Sequence, residues 1–111
     1  MRRGEIVIVA QRGHYEGKPR PAIIIQSDAH LENHPSVLVC QLSTDPRAAI
    51  DAFFRVQVEP TDTNGLRERS TIMVDRVVTI GRRNIRESIG RLDPLMLNRL
   101  NIALALFQGL A

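Results

Sequence analysis

Pro19-Arg20-Pro21-Ala22-Ile23-Ile24-Ile25-Gln26 (PRPAIIIQ) is the stretch on which the fold turns. Three consecutive isoleucines in a short run behind a proline read as a strand from Pro21 to Gln26. The apolar positions are continuous rather than alternating, the pattern of a strand covered on both faces. Arg20 stands between two prolines at the mouth of this strand, and a cation held there is the first candidate for function.

Outward from this run, the chain up to about residue 80 alternates between short strands and turns. Upstream, Glu5 to Ala10 (EIVIVA) is a strand, and Gln11 to Pro19 is a polar loop with Gly13 and Gly17. Downstream, Ser27 to Pro35 is a loop and Ser36 to Leu42 (SVLVCQL) a third strand. Phe53 to Glu59 (FFRVQVE) alternates apolar and polar residues, so one face is wet. Asn64-Gly65 marks a turn. Ser70 to Asp75 (STIMVD) and Val77 to Ile80 are two more strands, and Asn84 to Ser88 is read as one helical turn. The period then changes. Asp93 is an N-cap ahead of Pro94 at the first helical position, and Gly109 closes the segment. Met96, Leu100, Ala103, Leu104 and Phe107 form one apolar stripe on a helix from Pro94 to Phe107. The architecture is α+β and mainly β: a small, partly closed barrel with a C-terminal amphipathic helix.

The chain has 111 residues, enough for one domain over residues 1–111 that buries a core without staples. A single cysteine, Cys40, excludes an intramolecular disulfide and lies in an apolar run, where an inert buried thiol is expected. Ile6 to Ala10 is too short for a signal-peptide core, and no apolar run reaches the roughly 20 residues of a membrane span. A cytoplasmic protein is expected. Of 15 basic residues, 14 are arginine and only Lys18 is lysine, with a net charge of +3. Arginine's fork suits phosphate and carboxylate, although a GC-rich coding sequence produces the same bias. His14, His30 and His34 lie in loops, and one cysteine makes no zinc framework. No glycine-rich phosphate loop or paired carboxylates appear, and Ser43 is not on the Gly-flanked turn of a hydrolase nucleophile. No metal and no cofactor are expected.

What remains is a cluster at strand ends: Arg20 before the second strand, Ser43 and Thr44 after the third, Asp75 and Arg76 after the fifth. The order of these pieces resembles the toxin family of MazF, PemK and Kid. Arg3-Gly4-Glu5-Ile6-Val7 is similar to that family's opening strand, and Gly17-Lys18-Pro19-Arg20-Pro21-Ala22 to its Gly-x-x-Arg-Pro motif. Leu42-Ser43-Thr44 falls, 23 residues after Arg20, where the family has an apolar residue and then Thr or Ser. Asn64-Gly65-Leu66 resembles its Gly-Leu turn, Ser70 to Ile80 its Asp-Gln-(Ile/Pro)-Arg-Thr-Ile strand, and Ile89-Gly90-Arg91-Leu92 the lead into its last helix. Here Arg76-Val77-Val78 replaces Gln-(Ile/Pro)-Arg.

The resemblance implies an SH3-like barrel, a homodimer, and a metal-independent endoribonuclease that cleaves single-stranded RNA by attack of the 2′-hydroxyl. An antitoxin protein would neutralise it, and no membrane is involved. Arg20 and Ser43 would be the catalytic pair. Arginine stays protonated, so Arg20 fits a phosphate clamp better than a base, and Ser43 would hydrogen-bond phosphate oxygens. Lys18, Thr44, Arg76, His14 and Tyr15 would support RNA binding, Tyr15 by stacking on a base. Asp75 would join this supporting set, but it reads slightly more readily as the structural partner of a nearby arginine; Ser43-Thr44 also reads as a turn before Asp45-Pro46. Two alternatives share the fold: a gyrase-poisoning toxin similar to CcdB, whose apolar tail Phe107 to Ala111 loosely matches, and a member of the family without catalysis.

Overall fold

The computed structural model of the chain describes residues 1–10, 18–49 and 54–111. Its strands are β1 (Glu5–Val9), β2 (Arg20–Ile24), β3 (Ser36–Ser43), β4 (Arg55–Val58), β5 (Ser70–Gly81) and β6 (Ile85–Arg91), followed by one helix, α1 (Pro94–Gln108). They form a single antiparallel sheet in the order β4-β5-β3-β2-β1-β6. The period-two geometry of strands sorts the apolar residues onto two faces. Ile6, Ile23, Ile25, Cys40, Leu42, Ile72 and Val74 share one face, where α1 lays Leu100, Ala103 and Leu104 over them. Val7, Val9, Ala22, Ile24, Val37, Val39 and Ile80 share the other, covered by Leu31. The second strand is thus apolar on both faces, as its unbroken run demands. Cys40 is buried, and desolvation pushes its thiol up to about 12, so it stays protonated and unreactive.

The helix begins as expected. The Asp93 carboxylate accepts the Met96 N–H at 2.8 Å, Pro94 opens the first turn, and Gly109 ends the helix at φ 78°. Phe107 packs its ring on Phe54 with centroids 4.8 Å apart.

Two expectations are corrected. The segment read as a helical turn at Asn84 to Ser88 is a short 3₁₀ turn, Arg82–Asn84, running into β6. The register of β6 on β1 shifts twice, and Ile85 and Ile89 pack against opposite apolar layers of the sheet, as no single helical turn would place them. Likewise Ser70 to Asp75 and Val77 to Ile80 are one strand, β5. Cys40 pairs with Val77 while its neighbour Gln41 pairs with Met73, so three residues, Val74 to Arg76, bulge between them. Asp75 and Arg76 therefore bend a strand rather than end one. An ion pair pins the bend. Arg55 Nε and Nη2 donate to the two Asp75 oxygens at 2.8 and 2.7 Å, and Arg55 Nη1 donates to the Ala48 carbonyl.

The sheet is open in its hydrogen bonding, with β4 and β6 as edges, yet it curls enough for the β4–β5 loop to reach β6. The Arg91 N–H donates to the Thr63 carbonyl at 3.1 Å. Buried Asn64 organises that loop, accepting the Thr61 and Leu66 N–H groups and donating to the Glu59 carbonyl. Glycine is required at this seam. A Cβ at Gly90 would lie 2.3 Å from the Thr63 oxygen, and one on Gly65, at φ 70°, 2.0 Å from the Ile89 oxygen.

Gly90→Ala should therefore lose about 2 kcal/mol or more of unfolding free energy in urea, since backbone stands where the methyl would go. Asp75→Asn should lose about 1 kcal/mol near neutral pH. The Arg55 guanidinium holds the Asp75 carboxyl below its ordinary value of 3.8, so the stabilisation is present above about pH 4 and fades as pH falls through the folded-state value. Urea midpoints taken from about pH 6 down to pH 2 should show the wild type and Asp75→Asn converging in acid; a constant gap would refute this role.

Candidate functional site

The antiparallel order β5-β3-β2 brings the start of β2, the end of β3 and the bend of β5 to one end of the sheet. A cleft of about 490 Å³ opens there, lined by Lys18, Arg20, Pro21, Gln41, Leu42, Ser43, Thr44, Asp45, Ser70, Met73 and Arg76. Strand parity explains its position. Val37, Val39, Gln41 and Ser43 alternate onto one face of β3, and Arg20, Ala22 and Ile24 onto the same face of β2. Toward Val37 and Ile24 this face is closed core; toward Ser43 and Arg20 it is open cleft.

Pro21 sets where the opening begins. The Ile25 N–H donates to the Leu38 carbonyl across the β2–β3 seam at 3.0 Å. Alternation then turns the backbone of Ile23 and residue 21 toward β3 as well. Proline has no N–H to give, and β2–β3 pairing stops at Ala22–Gln41. Continuing that register by two residues puts Arg20 in line with Ser43.

The electrostatics of the cleft are cationic. Lys18, Arg20 and Arg76 are exposed, and none of them forms an ion pair with a described residue. Among the described residues the one carboxylate on the rim, Asp45, is held by Arg47, which donates from Nε and Nη2 at 3.1 and 2.8 Å and keeps the carboxyl below its usual range. Ser43 Oγ accepts the Asp45 N–H at 3.1 Å. The turn reading of Ser43 is therefore present in the structure, and it leaves the hydroxyl proton free to donate elsewhere.

Of the residues singled out in the sequence, the cleft gathers Lys18, Arg20, Ser43, Thr44 and Arg76. Asp75 is not among its lining residues; it is engaged by Arg55 in the bend that carries Arg76 to the rim. His14 and Tyr15 lie outside the described residues. His34 is tied to Ser36 through Nδ1, and among the described residues no three His, Cys, Asp or Glu side chains cluster as metal ligands. Sequence reading missed Gln41 and Met73. Their signal was a polar residue inside an otherwise apolar strand and a wide residue facing it across the register.

The chain is similar to known proteins over its whole length. Residues 2–107 match the model of the PemK-like, MazF-like toxins of type II toxin-antitoxin systems. A protein of Mycolicibacterium smegmatis named probable endoribonuclease MazF is 40% identical over 111 residues, covering 100% of this chain and 99% of that protein. Among solved structures, a mycobacterial endoribonuclease in complex with its cognate antitoxin superposes with a TM-score of 0.81 at 23% identity, covering 100% of this chain and 97% of that one. A MazE–MazF structure from Deinococcus radiodurans superposes with a TM-score of 0.76 at 18% identity, covering 98% and 95%. These similarities favour this family over a CcdB-like gyrase poison. With the fold, the cleft and a family match spanning nearly all its residues in agreement, the chain belongs to the PemK-like, MazF-like toxins of type II toxin-antitoxin systems.

Proposed function

We propose that this protein is a single-domain toxin that cuts single-stranded RNA in the cytoplasm, without a metal, at the cleft between Arg20 and Ser43. The observation that carries the reading is the gathering of three cations, Lys18, Arg20 and Arg76, beside the Ser43 hydroxyl in one open cleft. The 40% identical relative, named an endoribonuclease, supports it.

In this reaction the 2′ oxygen bonds to the adjacent phosphorus and the bond from phosphorus to the 5′ oxygen breaks. A proton leaves O2′ and one arrives at O5′, so the change is a transesterification with no net change in charge. The site must above all stabilise the extra negative charge of the phosphorane. Arg20 does so as a bidentate clamp, Arg76 faces it from the bend of β5, and Ser43 donates its free O–H to a phosphate oxygen. Lys18 and Thr44 hold the flanking backbone, and His14 and Tyr15 support the RNA from the preceding segment. A positive site of this kind also fits a neutralising antitoxin that occupies the cleft. The outward residues Leu95, Ile102, Leu106 and Leu110 of α1 and its tail, all more than half exposed, suit a homodimer contact.

Purified protein should cleave labelled single-stranded RNA in EDTA and leave a 2′,3′-cyclic phosphate or its hydrolysis product. Arg20→Ala should reduce kcat/KM by about 100-fold or more while the protein stays folded, and Ser43→Ala by about tenfold. Undiminished cleavage by Arg20→Ala would sink this assignment, as would cleavage that EDTA abolishes for the metal-free mechanism.

A further inference from the structure

We infer that Gln41 is a specificity-determining residue whose carboxamide reads the edge of the nucleobase beside the bond being cut. The inference rests on the RNA-cleaving function proposed above. Gln41 lines the cleft yet is only 8% exposed, and no described residue hydrogen-bonds its side chain. Two other inward amides among the described residues are paired. Gln26 donates to the His30 carbonyl and accepts the Leu38 N–H, and Asn64 uses both ends of its amide. A buried amide without partners is costly. A ligand offering one donor beside one acceptor relieves that cost.

Position selects the ligand. Gln41 is two residues inside Ser43 on the same face of β3, roughly 7 Å deeper into the sheet. Lys18, Arg20 and Arg76 attract the phosphate, and a neutral amide competes poorly with three cations for an anion. A base carried by the clamped nucleotide instead reaches inward to the floor. There Met73, the register partner of Gln41 and 7% exposed, offers an apolar surface to the ring. Single-stranded RNA is read through such splayed bases. A glutamine amide fits an edge with one donor beside one acceptor, and adenine N6–N7 is the pairing it makes best.

The test is sequencing of cut ends from a randomised single-stranded RNA pool, followed by kcat/KM on the favoured sequence and its three single-base variants. Wild type should favour one base at one position next to the cut. In Gln41→Met, which keeps the side-chain length, the kcat/KM ratio between that base and the others should fall by about tenfold or more. Thermal unfolding checks that the variant is folded. Should Gln41→Met not fold, Gln41→Glu gives the same readout, its acceptor-only carboxylate shifting the preference toward cytosine, whose N4 donates. An unchanged ratio, or a uniform loss on all four sequences, would overturn the inference. So would a wild type that cleaves without preference at any position, and that result would leave the cleavage reading intact. A wild type that cleaves nothing would overturn both.

Discussion

Strand β2 lies between β1 and β3 and hydrogen-bonds to both, until Pro21 presents a nitrogen with no proton to the β3 side. One missing donor ends the ladder one residue before Leu42. The opening between Arg20 and Ser43 follows from that gap. Arg20 is still held in register by Val9 of β1, so its backbone is fixed while its other side is open. Ser43 is still held by Thr71 of β5. The two side chains face each other across a space that the sheet has declined to fill.

A second local irregularity completes the site. The bulge at Val74 to Arg76 is stabilised by the Arg55–Asp75 pair, and it turns Arg76 onto the rim. Asp75 acts by shaping the strand that carries a cation, which is a positioning role. Where the family pattern has arginine, Val78 here packs into the apolar layer with Val39 and Ile80. The positive charge of the cleft is thus supplied two residues earlier, through the bend. The Asp45–Arg47 pair keeps the carboxylate that lines the cleft among the described residues from opposing it.

The sheet face shared by core and cleft shows how one strand serves both stability and binding. Along β3, Val37 and Val39 are fully buried in the apolar layer, and Gln41 and Ser43 continue the same row as polar groups. Breaking the apolar pattern inside a strand opposes burial locally. The helix-covered face compensates, with Cys40 and Leu42 packed beneath Leu100 and Leu104.

Much of this was legible in the amino-acid sequence. Local rules determined the strands around Ile6, Ile23 and Val39, the Asp93-Pro94 start and Gly109 end of the helix, and the candidacy of Arg20 and Ser43. These signals depend on residues within a few positions of one another: β-branched runs, a side-chain cap, a left-handed glycine. Only the tertiary structure decided that residues 85–91 form a strand and that Ser70–Gly81 is one bent strand, because register shifts against β1 and β3 break the period that sequence reading relies on. It also decided that Asp75 belongs to Arg55, a residue 20 positions away, and that Gln41 lines the cleft with no side-chain partner among the described residues. Which polar group finds a partner depends on what the sheet places opposite it, and strand pairing over long sequence separations is not written in any local stretch of the chain.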